Sequence, residues 1–537
     1  MLLEKKILSK KNFIIFFFIS FFFVGINVVK DYGVSSDEYQ HRFHGFINLD
    51  HVGKKIFPKT VDKYKEDKSY PSFDNYRNNF YGGVVFNSSA ALIELLFKIK
   101  DKKNQFLLKH YLNFLIFFLS LISFYKIIKI RFSNWTFPLI GVVFLILSPR
   151  IFANSFYNPT DLIFMSFCIF AIQYGLIFFK NPNLKNSILF SLFAALSINM
   201  RIMGIIIPAL IYLLIFFYLF QNLNLIRKYF YPIIISFLIL PVLTIIFWPY
   251  LWDAPLENFI NSFIKFSNFH HFGGAENLFL GNYVKSTELP WTYVPVWILI
   301  TTPIFYIFLF LFGIFKITYN LFYTKYKDNE KILIDIFFLL LFFIPIISVI
   351  VLNSTLYNGW RHLYFIYPGL IIITLVAIEF FYNHFKNKRI KFFIKFFIII
   401  NVLYISFWMI KNHPHQYVYF NSFAGKDIKN KFDMDYWGLS YKENFDYLLE
   451  NDSSDEILIW NSSAIKIFYP LLSINEKDRT RIIKVKFKED KFDAKYWITN
   501  YYIDKNNYDD EFFKKYKIYK TIFVDGEPIN TIFKKKL

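Results

Sequence analysis

The stretch "NFIIFFFISFFFVGINVV", Asn12–Val29, runs through Lys30 into "DYGVSSDEYQHRFHG", Asp31–Gly45. The first part is an uncharged apolar run of about 18 residues, the length a helix needs to cross the hydrocarbon of a bilayer. The second part places two adjacent acids, two histidines and an arginine directly at the exit. A chain that leaves a membrane so abruptly is expected to be a membrane protein with chemistry at its surface.

The rest of the chain extends that reading. Of its 537 residues 55% are hydrophobic and 23% aromatic, with 73 Phe and a mean hydropathy of +0.34. A soluble chain of this length splits into several cores and does not need so much apolar surface. Hydropathy predicts eleven spans, at about 12–29, 106–126, 134–152, 162–179, 186–200, 203–220, 230–248, 294–315, 332–352, 363–382 and 392–410. The segment "VGINVVKDYG" has no small-x-small cleavage pattern, so the first span is expected to stay in place.

The net charge of +21 is spread beside the apolar runs and not along a stripe with stacking aromatics, which argues against nucleic acid as a partner. Lys5, Lys6, Lys10 and Lys11, then Lys126, Lys129 and Arg131, Lys180 and Lys185, Arg227 and Lys228, Lys316, Lys325 and Lys327, and Lys386, Lys388 and Arg389 fall in alternate loops. The intervening short loops hold little besides Arg150, Arg201 and Arg361. The positive-inside rule then predicts a cytoplasmic N-terminus and an outer C-terminal tail. Cys168 is the only cysteine, which excludes an internal disulfide and a cysteine-based zinc cluster.

Residues 1–410 are expected to form the transmembrane module, with two long outer loops at 30–105 and 249–293. The second, from "WPYLWDAP" through "FHHFGG" to "LPWTYVPVW", has the Trp, Tyr and Pro content of an interfacial segment. Residues 411–537 turn polar and predict a small α/β domain. "SYKENFDYLLEN" reads as its helix and "EILIWN", "RIIKVKF" and "KYWITNYY" as strands. "TIFVDGEPINTIF" reads as a hairpin turning at Asp-Gly. The fold class expected is therefore an all-α polytopic membrane protein with a small C-terminal α/β domain outside the membrane.

Five positions invite chemistry on the outer side. In "SSDEYQHR", Ser35 and Glu38 have capping-box spacing, which puts Asp37 in a first helical turn. Asp37 with His41, and Glu38 with Arg42, are spaced to pair along that helix. In "SFYNPTDLIF", Asn158 is the expected N-cap, Pro159 the first helical residue and Asp161 part of the first turn. Arg201, in "NMRIMG", and Arg361 with His362, in "YNGWRHLYFIYP", bring cations to the same side, where the natural partner is a carboxylate or a phosphate. Capping, ordinary helix pairs and snorkelling arginines explain each motif singly; their shared side favours function. The paired histidines of "HRFH", "FHH" and "NHPHQ" lack a zinc pattern, and no Gly-rich phosphate loop or nucleophile elbow occurs, so neither a metal nor a cofactor is expected.

These motifs, together with "SPRIFANSFYNPTDLIFM", "LPWTYVPVWILITTP", "GWRHLYFIYP" and "HPHQYVYFNSFAGKDIKNKFDMDYWGLSYKE", resemble the GT-C glycosyltransferases that use polyprenyl-phosphate sugars. The likeness is to the protein O-mannosyltransferase-like branch and to the lipid A aminoarabinose transferases of bacterial inner membranes. It implies an inverting transfer from a polyprenyl-phosphate sugar to a hydroxyl of an outer glycolipid, polysaccharide or protein, with membrane lipids as surroundings. By that resemblance Asp37 is the general base, Glu38 its acidic neighbour and Asp161 the second acid. Arg201, Arg361 and His362 are candidates for holding the donor phosphate. The loop at 249–293 is too short for the inserted β-trefoil of the eukaryotic mannosyltransferases, which weighs against protein Ser/Thr as acceptor. A transporter or flippase of a lipid-linked glycan is the alternative, and a non-catalytic scaffold the third reading.

Overall fold

The computed structural model describes residues 2–58, 71–76, 84–267, 274–323, 329–485, 489–504, 506 and 508–536. The turn-like stretch at 69–83 is described only at 71–76. The paired histidines at 270 and 271 and the loop charges at 325 and 327 lie outside the described residues.

All eleven expected spans are helical. Among the described residues, nine helices are long and apolar enough to cross a membrane. The other two expected spans differ in form. Leu184–Met200 is a short apolar helix, and the segment expected at 134–152 is a pair, Thr136–Ile146 and Pro149–Tyr157, bent by 69°. Pro149 lacks the N–H that would continue the first helix and sits well at the start of the second. The span expected at 294–315 is likewise two pieces, Tyr293–Thr301 and Ile304–Tyr323, parted at Pro303. Asn421, from the tail, caps that break. Its side-chain amide donates to the carbonyls of Leu299 and Thr302 at 2.7 Å each, and its backbone N–H to Ile300 O at 2.8 Å. Broken backbone inside an apolar region persists only where such partners replace the missing ladder.

Burial sorts the spans into a centre and a rim. Asp161–Lys180 and Arg361–His384 are enclosed over 83% and 89% of their apolar windows; Leu223–Phe247 and Lys388–Lys411 only over 11% and 17%. The rim helices present Phe237, Phe396 and Phe407 outward, as lipid-facing helices must. The two central spans therefore carry Asp161 and Arg361 at their first residues, packed inside protein.

The helix Ser36–Ile56 packs against Val84–Leu96 through Gly45, where a Cβ would lie 2.3 Å from Asn87 O. In the segment at 249–293, Pro255–Ser267 exposes Leu256, Ile260, Phe263 and Ile264 along one stripe, the form of a helix lying in the membrane interface. The loop also contains an unexpected hairpin, β1 (Glu276–Phe279) with β2 (Asn282–Lys285). Its turn has Leu280 and Gly281 at φ of 53° and 85°, and a leucine at such a position sends no turn signal from the sequence.

The tail helix Tyr441–Asn451 and strands β3 (Ile457–Asn461), β4 (Ile482–Lys484), β5 (Tyr496–Thr499), β6 (Tyr516–Val524) and β7 (Glu527–Lys535) fall where the sequence predicts. The sheet order is β4-β3-β5-β7-β6, parallel at β3/β4 and β3/β5 and antiparallel elsewhere. Asp525 and Gly526 both take positive φ at the β6–β7 turn, as an Asp-Gly hairpin requires. Between the last span and this sheet, Tyr417–Phe420, Phe432, Met434, Tyr436, Trp437 and Leu439 are buried in the same core as the spans. The chain thus does not divide cleanly at residue 411 in its packing.

Candidate active site

The first residues of the two central spans meet. Arg361 Nη1 donates to Asp161 Oδ2 at 2.7 Å, and Arg201 Nη2 pairs with Asp161 Oδ1. Asn158 holds the acid locally. Its Oδ1 accepts from Asp161 N at 2.9 Å, and its Nδ2 donates to Asp161 Oδ2 at 3.2 Å. The helix starts at Asp161 and not at Pro159, so Asn158 caps it across a two-residue turn. The Asp161 side chain has no exposed surface. Removing either partner from a buried ion pair costs about 3–5 kcal/mol, so this clamp holds both arginines in place.

Asp37 sits in front of the clamp. Arg361 Nη2 approaches Asp37 Oδ2 at 3.5 Å, and Trp437 Nε1 donates to the same oxygen at 3.1 Å. The Asp37 side chain is 38% exposed where Asp161 is sealed, so of the two acids only Asp37 offers an edge to a substrate. Burial of its surroundings raises the Asp37 carboxyl above the usual range. Arg361 draws it back, Asp161 pushes it further up, and the Trp437 N–H lowers it. A carboxylate raised in this way is a better proton acceptor near neutral pH.

Glu38 stands elsewhere. Its Oε1 accepts from Ser35 N at 2.7 Å, the capping-box bond the spacing predicts, and its Oε2 lies 2.9 Å from His110 Nε2. It is wholly buried with both oxygens engaged, so it offers no edge to a substrate. The neighbouring acid that raises Asp37 is Asp161. The predicted pairs along the helix are replaced by distant ones. Arg42 Nε donates to Glu94 Oε2 at 2.8 Å, while burial holds His41 well below its ordinary range and so neutral. Tertiary partners fix these side chains before neighbours on the same helix can.

His362 is buried beside Arg361, edge-on to Tyr357 with ring centroids 4.8 Å apart, and its Nδ1 has no hydrogen-bond partner. Arg361 Nε and Arg201 Nε are also buried without partners. Three buried nitrogens around Asp161 thus have no hydrogen-bond partner. The guanidinium of Arg361 lies between two rings, 4.9 Å from the centroids of Tyr357 and Trp437. Trp437 and Tyr357 were not singled out from sequence. Both lie within quoted stretches, yet nothing local marks either as facing the site.

No family description and no curated protein matches the chain. Among the solved structures that it resembles are two of one protein. One is ArnT from Cupriavidus metallidurans in the apo state, 10% identical, with 97% of this chain and 98% of that one covered at a TM-score of 0.48. The other is ArnT from the same organism bound to undecaprenyl phosphate, 10% identical, with 96% and 97% covered at 0.46.

Proposed function

We propose that this chain is an inverting glycosyltransferase that moves a sugar from a polyprenyl-phosphate donor to a hydroxyl of an extracytoplasmic glycolipid, polysaccharide or protein. The observation that carries the reading is the pairing of one accessible carboxylate, Asp37, with a sealed Arg–Asp–Arg clamp at the ends of the two most buried spans. In the proposed step the acceptor oxygen forms a bond to the anomeric carbon as the carbon–oxygen bond to phosphate breaks. Asp37 takes the acceptor proton, and polyprenyl phosphate leaves with the bonding electrons from the opposite face. A carboxylate is a weak base for a sugar hydroxyl, so proton transfer is late, once the sugar is oxocarbenium-like.

Arg361 and Arg201, with His362 beside them, stabilise the phosphate, whose charge the two guanidiniums suit. Asp161 works through the arginines by fixing their orientation. Glu38 belongs to the frame that sets the helix of Asp37. The site and the C-terminal domain would face the periplasm of a bacterial inner membrane, with the N-terminus in the cytoplasm. A lipid-borne donor presented there needs no nucleotide-binding fold.

A flippase of a lipid-linked glycan is the second reading, favoured by the bent pair and the break at Pro303, since transporters build sites on broken helices. The test measures polyprenyl phosphate released from a panel of undecaprenyl-phosphate sugars, with a membrane-glycolipid extract as acceptor. Wild type should release it, and Asp37→Asn should be slower by about 100-fold or more while inserting normally. Donor that crosses a liposome bilayer unchanged, with no release, would favour the flippase. Equal release by both proteins would remove Asp37 as the base.

A further inference from the structure

We infer that Trp437, delivered by the tail, is a positioning residue that holds one oxygen of Asp37 and leaves the other to receive the proton. The inference rests on Asp37 being the base. Both described donors to this carboxylate, Trp437 Nε1 at 3.1 Å and Arg361 Nη2 at 3.5 Å, reach Oδ2. Oδ1 receives none among the described residues and lies on the exposed side chain, so the acceptor O–H delivers its proton to Oδ1.

The tail is shaped to present this ring. Asp435 Oδ1 accepts from Leu439 N at 2.9 Å, its Oδ2 accepts from Ser440 N at 3.3 Å, and Asn500 Nδ2 donates to Asp435 O at 2.6 Å. Gly438, at φ +71°, turns the chain immediately after Trp437. The ring is then packed edge-on to Tyr157 at 5.5 Å and over Arg361, and only 4% of the residue is exposed. One side chain thus bridges the general base and the cation of the clamp, across 400 residues of sequence.

A ring that only filled space would affect the enzyme equally at every pH. A ring whose N–H stabilises the ionised carboxylate opposes the burial that raises it, and its loss moves the pH at which the base becomes competent. The groups facing Asp37 are Arg361, Asp161 and Arg201 from the spans, Tyr357 from the loop before Arg361, and Tyr436 and Tyr502 from the tail. The tyrosines all have raised values, so none titrates below pH 8 to mimic the effect.

The experiment records kcat/KM against pH for the full chain as polyprenyl phosphate release, for wild type, Trp437→Phe and Asp37→Asn. Phe keeps a ring over Arg361 and removes the N–H. Its acid limb should move up by about one pH unit, with activity approaching wild type at high pH. An unmoved limb with Asp37→Asn inactive overturns the role of Trp437 and leaves the base standing. Full activity of Asp37→Asn overturns the base, and this inference with it. Should Trp437→Phe fail to fold, 3-benzothienylalanine at 437, which has sulfur in place of N–H in the same shape, must give the same shift.

Discussion

Asp37 and Asp161 have the same side chain and opposite settings. Asp161 is sealed between Arg201 and Arg361, and neutralising it takes the acid from Arg201 and leaves the buried Arg361 only its longer approach to Asp37. Asp161→Asn should therefore lower folding stability by about 3–5 kcal/mol, seen as a fall in the unfolding midpoint in detergent, while Asp37→Asn at its open edge should shift it little. A third acid, Asp433, gives a pH signature. Burial raises it to about 7 against one backbone bond from Leu278 N at 3.0 Å. Its folded form holds a proton that the unfolded form has lost between about pH 4 and 7, so its contribution to stability falls as pH rises through that window. Asp433→Asn keeps the acceptor and removes the charge. The variant should be stabilised on the order of 3 kcal/mol at pH 8 and less at pH 5, measured as unfolding midpoints at the two values.

At the scale of elements, Glu38 illustrates how a site motif separates into chemistry and frame. Its cap on Ser35 N and its contact with His110 start the helix Ser36–Ile56 at a fixed place, and that start aims the next-door Asp37 at Arg361. Gln retains an acceptor for Ser35 N and an amide group within reach of His110 Nε2. Glu38→Gln should keep more than about a tenth of wild-type release where Asp37→Asn keeps on the order of a hundredth, a contrast read in the same assay. The capping box was legible from Ser35 and Glu38 alone, because capping is a bond between residues three apart. The partners of Arg42 and Asp37 were not, because nothing within one turn sets them.

Across the whole molecule, tail and spans form one packed body. Tyr417, Val418, Phe420, Met434 and Trp437 are buried in the span core, and Arg150 Nε donates to Tyr419 O at 3.1 Å. At the other end of the spans Arg131, which the sequence places among loop charges, is buried against Asp335 and Glu379 at 2.6 and 3.1 Å. A chain ended after Lys411 would expose that core and lose Trp437. It should aggregate on size-exclusion chromatography in detergent and release no polyprenyl phosphate, whereas a separable tail would leave a monodisperse membrane module.

The sequence by itself determined what depends on neighbours in the chain. Apolar length set the eleven helical segments, Ser35 and Glu38 the start of a helix, and Asp525–Gly526 the last hairpin. Each is a matter of hydrophobicity, capping or turn geometry over a few residues. The tertiary structure alone decided which charges meet. Arg361 reaches Asp161 across 200 residues and Trp437 reaches Asp37 across 400. It also decided which acid is sealed and which is open, and that Arg131 is buried. Those outcomes follow from burial, which strengthens a charge's need for a partner and leaves the choice of partner to packing.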